Sequence, residues 1–118
     1  MGTHKDLLVW KKSIELVTLV YQITQTFPKE ELYGLSNQMR RCAVSIPSNI
    51  AEGYGRCSDK EIRHFLHISL GSASELETQL IIAKELEFIA EDASESINCR
   101  INEIIKMLSS LIKSIQVS

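Results

Sequence analysis

Apolar residues recur at spacings of three and four in four separate stretches of this chain, and that period predicts four helices. The first stretch runs from Asp6 to Phe27, with Asp6 as its cap and Pro28 as its stop. Its apolar positions form two stripes. One is Leu7, Trp10, Ile14, Val17 and Tyr21; the other is Val9, Leu16, Val20, Ile23 and Phe27. At 100° per residue they cover roughly 200° of the helix together, about twice what one core face needs.

The second stretch runs from Glu31 to Gly53. Leu35, Met39, Cys42, Ile46 and Ile50 make its core stripe, and Pro47 falls inside it. A proline there removes one backbone hydrogen bond and crowds the carbonyl of Ala43, so a kink is expected. Beside the stripe runs a polar track of Arg41, Ser45, Ser48 or Asn49, and Glu52, before Gly53 and Gly55 end the helix. The third stretch opens on a capping box, Ser58-Asp59-Lys60-Glu61, and continues to Glu87. One face carries Ile62, Leu66, Ser69, Ala73, Leu76, Leu80 and Ala83. A second strip of His64, Ile68, Gly71, Glu75, Ile82 and Leu86 holds less charge than a purely solvated face. The fourth stretch, Glu91 to Gln116, has one clean stripe of Ile97, Ile101, Ile104, Leu108, Leu111 and Ile115. Acids gather at its start and lysines near its end, as the helix dipole favours.

Connections of about 3–5 residues between such helices make neighbours antiparallel. The expected fold is therefore all-α, an antiparallel up-down-up-down four-helix bundle with a proline kink in the second helix. The apolar excess on the first and third helices points to self-association through Val9, Leu16, Val20, Ile23, Ile68, Gly71 and Ile82.

Length and composition narrow the class without naming an activity. The chain has 118 residues and 13.3 kDa, one domain's worth, expected to span 1–118 with residues 1–5 loose. It is 44% hydrophobic and 24% charged, which excludes a disordered tail, and 5 Gly with 2 Pro are too few turns for a β-sandwich. A net charge of −2 gives no general basic field. Cys42, Cys57 and Cys99 are odd in number and lack a CxxC, which reads as reduced thiols in a cytoplasmic protein. No apolar run approaches the ~20 residues that span a bilayer, and Lys11 with Lys12 interrupt any secretory pattern.

The run Ser45-Ile46-Pro47-Ser48-Asn49-Ile50-Ala51-Glu52-Gly53-Tyr54-Gly55-Arg56 resembles the central motif of the four-helix-bundle proteins encoded in 23S rRNA intervening sequences. So do Asp6 to Trp10, Phe65-Leu66, Gly71-Ser72 with Glu75-Leu76, and Met107 to Ile112, and the likeness extends from Asp6 to Ile115. Ala90 and Ala93-Ser94 depart from it, standing where a more acidic, aromatic start is expected. The resemblance implies an antiparallel bundle assembled as a homopentamer, with no established reaction. A similar pentameric bundle serves as the accessory protein of reverse transcriptases in diversity-generating retroelements, where it binds nucleic acid and the polymerase. That likeness is one of fold.

Several constellations bear on chemistry. Glu61-x-x-His64 has the ExxH spacing of di-iron bundles, but those sites need two such motifs and two further glutamates. His64 and His67 lack acidic or cysteine neighbours for a metal. Arg41, Asn49, Glu52 and Arg56 of the second helix are placed to meet Glu75 of the third in a polar cluster, read either as a binding pocket or as a buried hydrogen-bond network fixing helix register or the subunit interface. Arg40, Tyr54, Arg56, Lys60 and Arg63 could present a basic, stacking rim to RNA or DNA once repeated by symmetry. No serine–histidine pair or phosphate-binding glycine loop is recognisable. The expectation is a non-catalytic module without cofactor, membrane contact or identified small-molecule substrate. A protein-partner adaptor or a scaffold like the reverse-transcriptase accessory protein is the alternative.

Overall fold

The structure, a computed structural model, describes residues 2–115. Four α-helices pack into one elongated body of 47 × 24 × 23 Å: α1 (Leu8–Thr24), α2 (Leu35–Tyr54), α3 (Asp59–Glu85) and α4 (Glu91–Ser114). Among the described residues there is no strand, and no helix is long and apolar enough to cross a membrane. The expected helix end at Gln116 lies outside the described residues.

Each helix packs against its neighbours in sequence, and α1 also packs against α4, whereas α1 and α3 are not adjacent. The apolar stripes of α2 and α3 are buried as the periodicity requires, Ile62 alone being only half-buried. On α4 the stripe runs through Ile97, Ile101, Ile104 and Leu108 and then to Ile112, with Leu111 and Ile115 half-buried beside it. Gly53 lets α2 approach α3 closely: a Cβ there would stand 3.0 Å from the Phe65 Cβ and 3.2 Å from the Ile62 carbonyl oxygen. Lower down, the Ser69 hydroxyl donates to the Ile46 carbonyl at 2.8 Å and Cys42 Sγ donates to the Ser72 carbonyl at 3.0 Å. The α1–α4 seam is spanned at its surface by Lys12 with Glu103 and by Glu15 with Arg100.

Several helix ends differ from expectation. Asp6 does not cap α1. It accepts the Thr3 amide at 2.9 Å and completes a box around the 3-10 turn His4–Asp6, leaving α1 to begin after Leu7 without a side-chain cap. Glu31 belongs to a second 3-10 turn, Lys29–Glu31, so α2 starts only at Leu35. With α1 ending at Thr24, the first connection covers residues 25–34 and is longer than the other two. At the start of α3, Ser58 accepts the Glu61 amide at 3.2 Å, but the Glu61 carboxylate faces Arg56 instead of closing the box. A guanidinium is the stronger partner for a carboxylate.

Candidate functional site

Arg41 and Glu75 both line an open groove of about 360 Å³ between α2 and α3, together with Asn37, Gln38, Cys42, Ser45 and Ser72. Its floor is held by small side chains. The Ser45 and Ser72 hydroxyls share a hydrogen bond of 2.8 Å, and Asn49 donates to the Ser45 carbonyl at 2.8 Å and hydroxyl at 2.9 Å. Burial, and secondarily the Glu75 carboxylate, push the Cys42 thiol up to about 12, so it stays protonated.

Of the expected buried network only the Glu52–Arg56 pair forms, and it is exposed. Glu75 accepts from Gln79 at 3.3 Å, Asn49 turns back onto its own helix, and Glu52 pairs with Arg56 one turn on. Arg41 takes part in none of the ion pairs among the described residues. The physical reason is desolvation: Arg41, Glu52 and Glu75 stay in water, and serines fill the close helix contact. Sequence reasoning missed Ser72 and Gln79 as members of this region. Gln79 is 6% exposed, and its carbonyl oxygen has no partner.

The basic residues divide into held and free. Arg56 lies between Glu52 and Glu61 and over the Phe65 ring at 5.1 Å; the Glu52 bond holds its guanidinium more firmly charged than usual. Arg40 sits in the α1–α2 seam, its Nε donating to the Thr24 hydroxyl at 2.8 Å and its guanidinium 4.9 Å over the Tyr21 ring. Lys60 and Arg63 are exposed and in no ion pair among the described residues. Tyr54 is half-buried beside Thr3, His4 and Lys5, and burial, then Asp59, raises its hydroxyl pKa. His64 lies edge-on to Phe65, and no group of three or more metal-ligating side chains occurs among the described residues.

The apolar surface is not the one expected. Val9, Leu16 and Val20 are 4%, 0% and 0% exposed, so they belong to the chain's own core and offer no surface to a second copy. Ile23 packs partly against that core. Of the other α1 stripe, Ile14 and Tyr21 are 39% and 40% exposed, while Leu7, Trp10 and Val17 pack partly against the core. Ser13 and Thr24 decide between the stripes: they lie on the Val9 side and are buried because their hydroxyls bond back to the Trp10 and Val20 carbonyls, each at 2.7 Å. On α3, Ile68, Ile82 and Gly71 are exposed as expected.

The model of a family described as 23S rRNA-intervening sequence protein matches residues 5–110. A crystal structure from Bacteroides thetaiotaomicron, of a protein with unknown function from the S23 ribosomal protein family, is similar over 90% of this chain and 96% of that one. The two share 32% identity and superpose with a TM-score of 0.84. No curated protein matches the sequence.

Proposed function

The chain belongs to the 23S rRNA-intervening sequence protein family, and from that premise we propose that it is a non-catalytic assembly module, a cytoplasmic helical bundle that works as a homo-oligomer. The observation that carries this reading is the apolar surface left on α1 and α3, where Ile14, Tyr21, Ile68, Ile82 and Leu86 are each at least 39% exposed. Apolar strips at helical spacing are covered at low cost by another copy of the same protein. The family resemblance supports a pentamer as the form of that assembly. Light scattering at micromolar concentration is expected to give a mass several times 13.3 kDa; a stable single copy overturns the reading.

The reading includes an antiparallel bundle with α2 kinked at Pro47. Gly53 approaches Ile62 and Phe65 while Cys42 bonds to Ser72, so the α2–α3 contacts run in opposite sequence directions. The Lys12–Glu103 and Glu15–Arg100 pairs run the same way along α1 and α4. Pro47 lies inside α2, where its ring takes one amide from the ladder.

A second reading, RNA or DNA binding, is favoured by Lys60 and Arg63, one turn apart, exposed and in no ion pair among the described residues. Repeated around an assembly, such pairs add their phosphate contacts. Filter binding to single-stranded RNA at about 50 mM salt is expected to show retention that is lost in Lys60→Ala/Arg63→Ala and falls steeply with salt. Absence of retention by the unaltered protein overturns this second reading and leaves the assembly reading standing.

A further inference from the structure

Two apolar strips stay wet after the core has formed, one on α1 with Ile14 and Tyr21 and one on α3 with Ile68, Ile82 and Leu86. Helical spacing puts the members of each strip on one side of their helix. Because α1 and α3 are not adjacent in the bundle and both strips are exposed, neither strip covers the other within one chain.

The strips differ in charge and relief. Over the α1 strip lies the Arg40 guanidinium, 4.9 Å from the Tyr21 ring and without a carboxylate partner among the described residues. Within the α3 strip, between Ile68 and Ile82, stands the exposed Glu75, whose one hydrogen bond among the described residues comes from Gln79. Gly71 adds a notch, since a Cβ built there meets nothing within 4 Å. The α1 strip is thus bulky and carries a cation; the α3 strip lacks a side chain at Gly71 and carries the Glu75 carboxylate, which shares the α2–α3 groove with Arg41.

Placing like on like would set Glu75 against Glu75, or Arg40 against Arg40, in a water-poor contact. Placing unlike strips together pairs the two charges and gives the α1 side chains a recess. We propose that the α1 strip of one copy docks on the α3 strip of the next, head to tail, with Arg40 facing Glu75 and the α1 side chains seated over Gly71. This rests on the assembly reading and specifies its contact. A contact of this kind leaves a free strip at each end of a pair, so it propagates to a ring or a filament, which a two-fold contact does not.

Two blocked variants test it: Ile14→Glu/Tyr21→Ser removes the α1 strip, and Ile68→Glu/Ile82→Glu removes the α3 strip. All four positions are exposed, and circular dichroism with a thermal melt checks that each variant keeps its helices. Head-to-tail docking predicts that each variant alone is a single copy of 13.3 kDa, and that an equimolar mixture forms a pair of twice that mass containing one of each. If either variant alone still pairs, or if the folded mixture stays single, the strip-to-strip contact is wrong. The unaltered protein separates the two levels: a single copy sinks the assembly reading itself, whereas an assembly with an inert mixture sinks only the docking.

Discussion

The Ser69 hydroxyl, fully buried on α3, donates to the carbonyl of Ile46 on α2, one residue before Pro47. It fastens the two helices where the proline leaves α2 one amide short. A carbonyl has two lone pairs, so the Ile46 oxygen can lose this donor and keep its helical one. Ser69→Ala is therefore expected to cost about 1 kcal/mol, the net worth of one such bond. Ser69→Leu should cost more, because the added carbons have no room in a close helix contact. Urea unfolding followed by circular dichroism measures both, and the order of the two variants checks the packing argument.

Two helical glycines should respond in opposite directions to the same change. Gly71→Ala adds a methyl in open space and gains helix propensity, an expected stabilisation of about 0.5–1 kcal/mol in the single chain. Gly53→Ala gains the same propensity but drives the methyl into the Phe65 Cβ and the Ile62 backbone. Backbone atoms of a packed helix cannot yield cheaply, so a net loss of about 1–3 kcal/mol is expected. Thermal melts of both variants at concentrations low enough to dissociate the assembly give the comparison.

The turn after α3 carries a backbone cost that can be removed. Glu87 has φ of 62°, the left-handed conformation, and the Phe88 amide reaches back to the Ala83 carbonyl at 2.9 Å. This is the helix-ending turn in which glycine is preferred, because a side chain at that φ costs roughly 1 kcal/mol. Glu87→Gly is expected to raise the unfolding free energy by about 0.5–1 kcal/mol, while Glu87→Val should lower it. Phe88 packs on Phe27 at 5.6 Å between ring centres, so the turn is held in place while the residue is exchanged.

Much of this architecture is legible in the sequence because α2 and α4 each have one apolar stripe opposed by polar residues. On α1 the stripes are too broad to rank by periodicity, and the choice between Val9 and Ile14 faces depends on Ser13 and Thr24, polar residues that can be buried only by bonding to their own helix. The polar region was half legible. Arg41 and Glu75 do share a groove, but Glu52 has Arg56 four residues away, and a local ion pair in water forms at less cost than a buried network across helices. Capping residues mislead in a similar way: Asp6 has a side chain fit to cap α1 but finds the Thr3 amide first.

The three cysteines should separate by reactivity and by pH. Cys57 and Cys99 are exposed, whereas Cys42 is buried with its thiol donating to the Ser72 carbonyl. Reagents attack the thiolate, and burial holds Cys42 at about 12 against an ordinary 9.0. An aromatic disulfide reagent at pH 8 is expected to titrate two thiols quickly in the native protein and the third only on unfolding. The same shift makes stability fall with alkalinity. Between about pH 9 and 12 the unfolded chain has lost the Cys42 proton and the folded chain has kept it, so the unfolded state binds fewer protons and the unfolding free energy declines as pH rises. Below pH 9 both states hold the proton and this contribution is constant. Cys42→Ala removes the titrating group, so its urea midpoint should decline less steeply across that window than the unaltered protein's, despite starting lower from the lost packing. Parallel slopes for the two proteins would show that another group governs the alkaline limb.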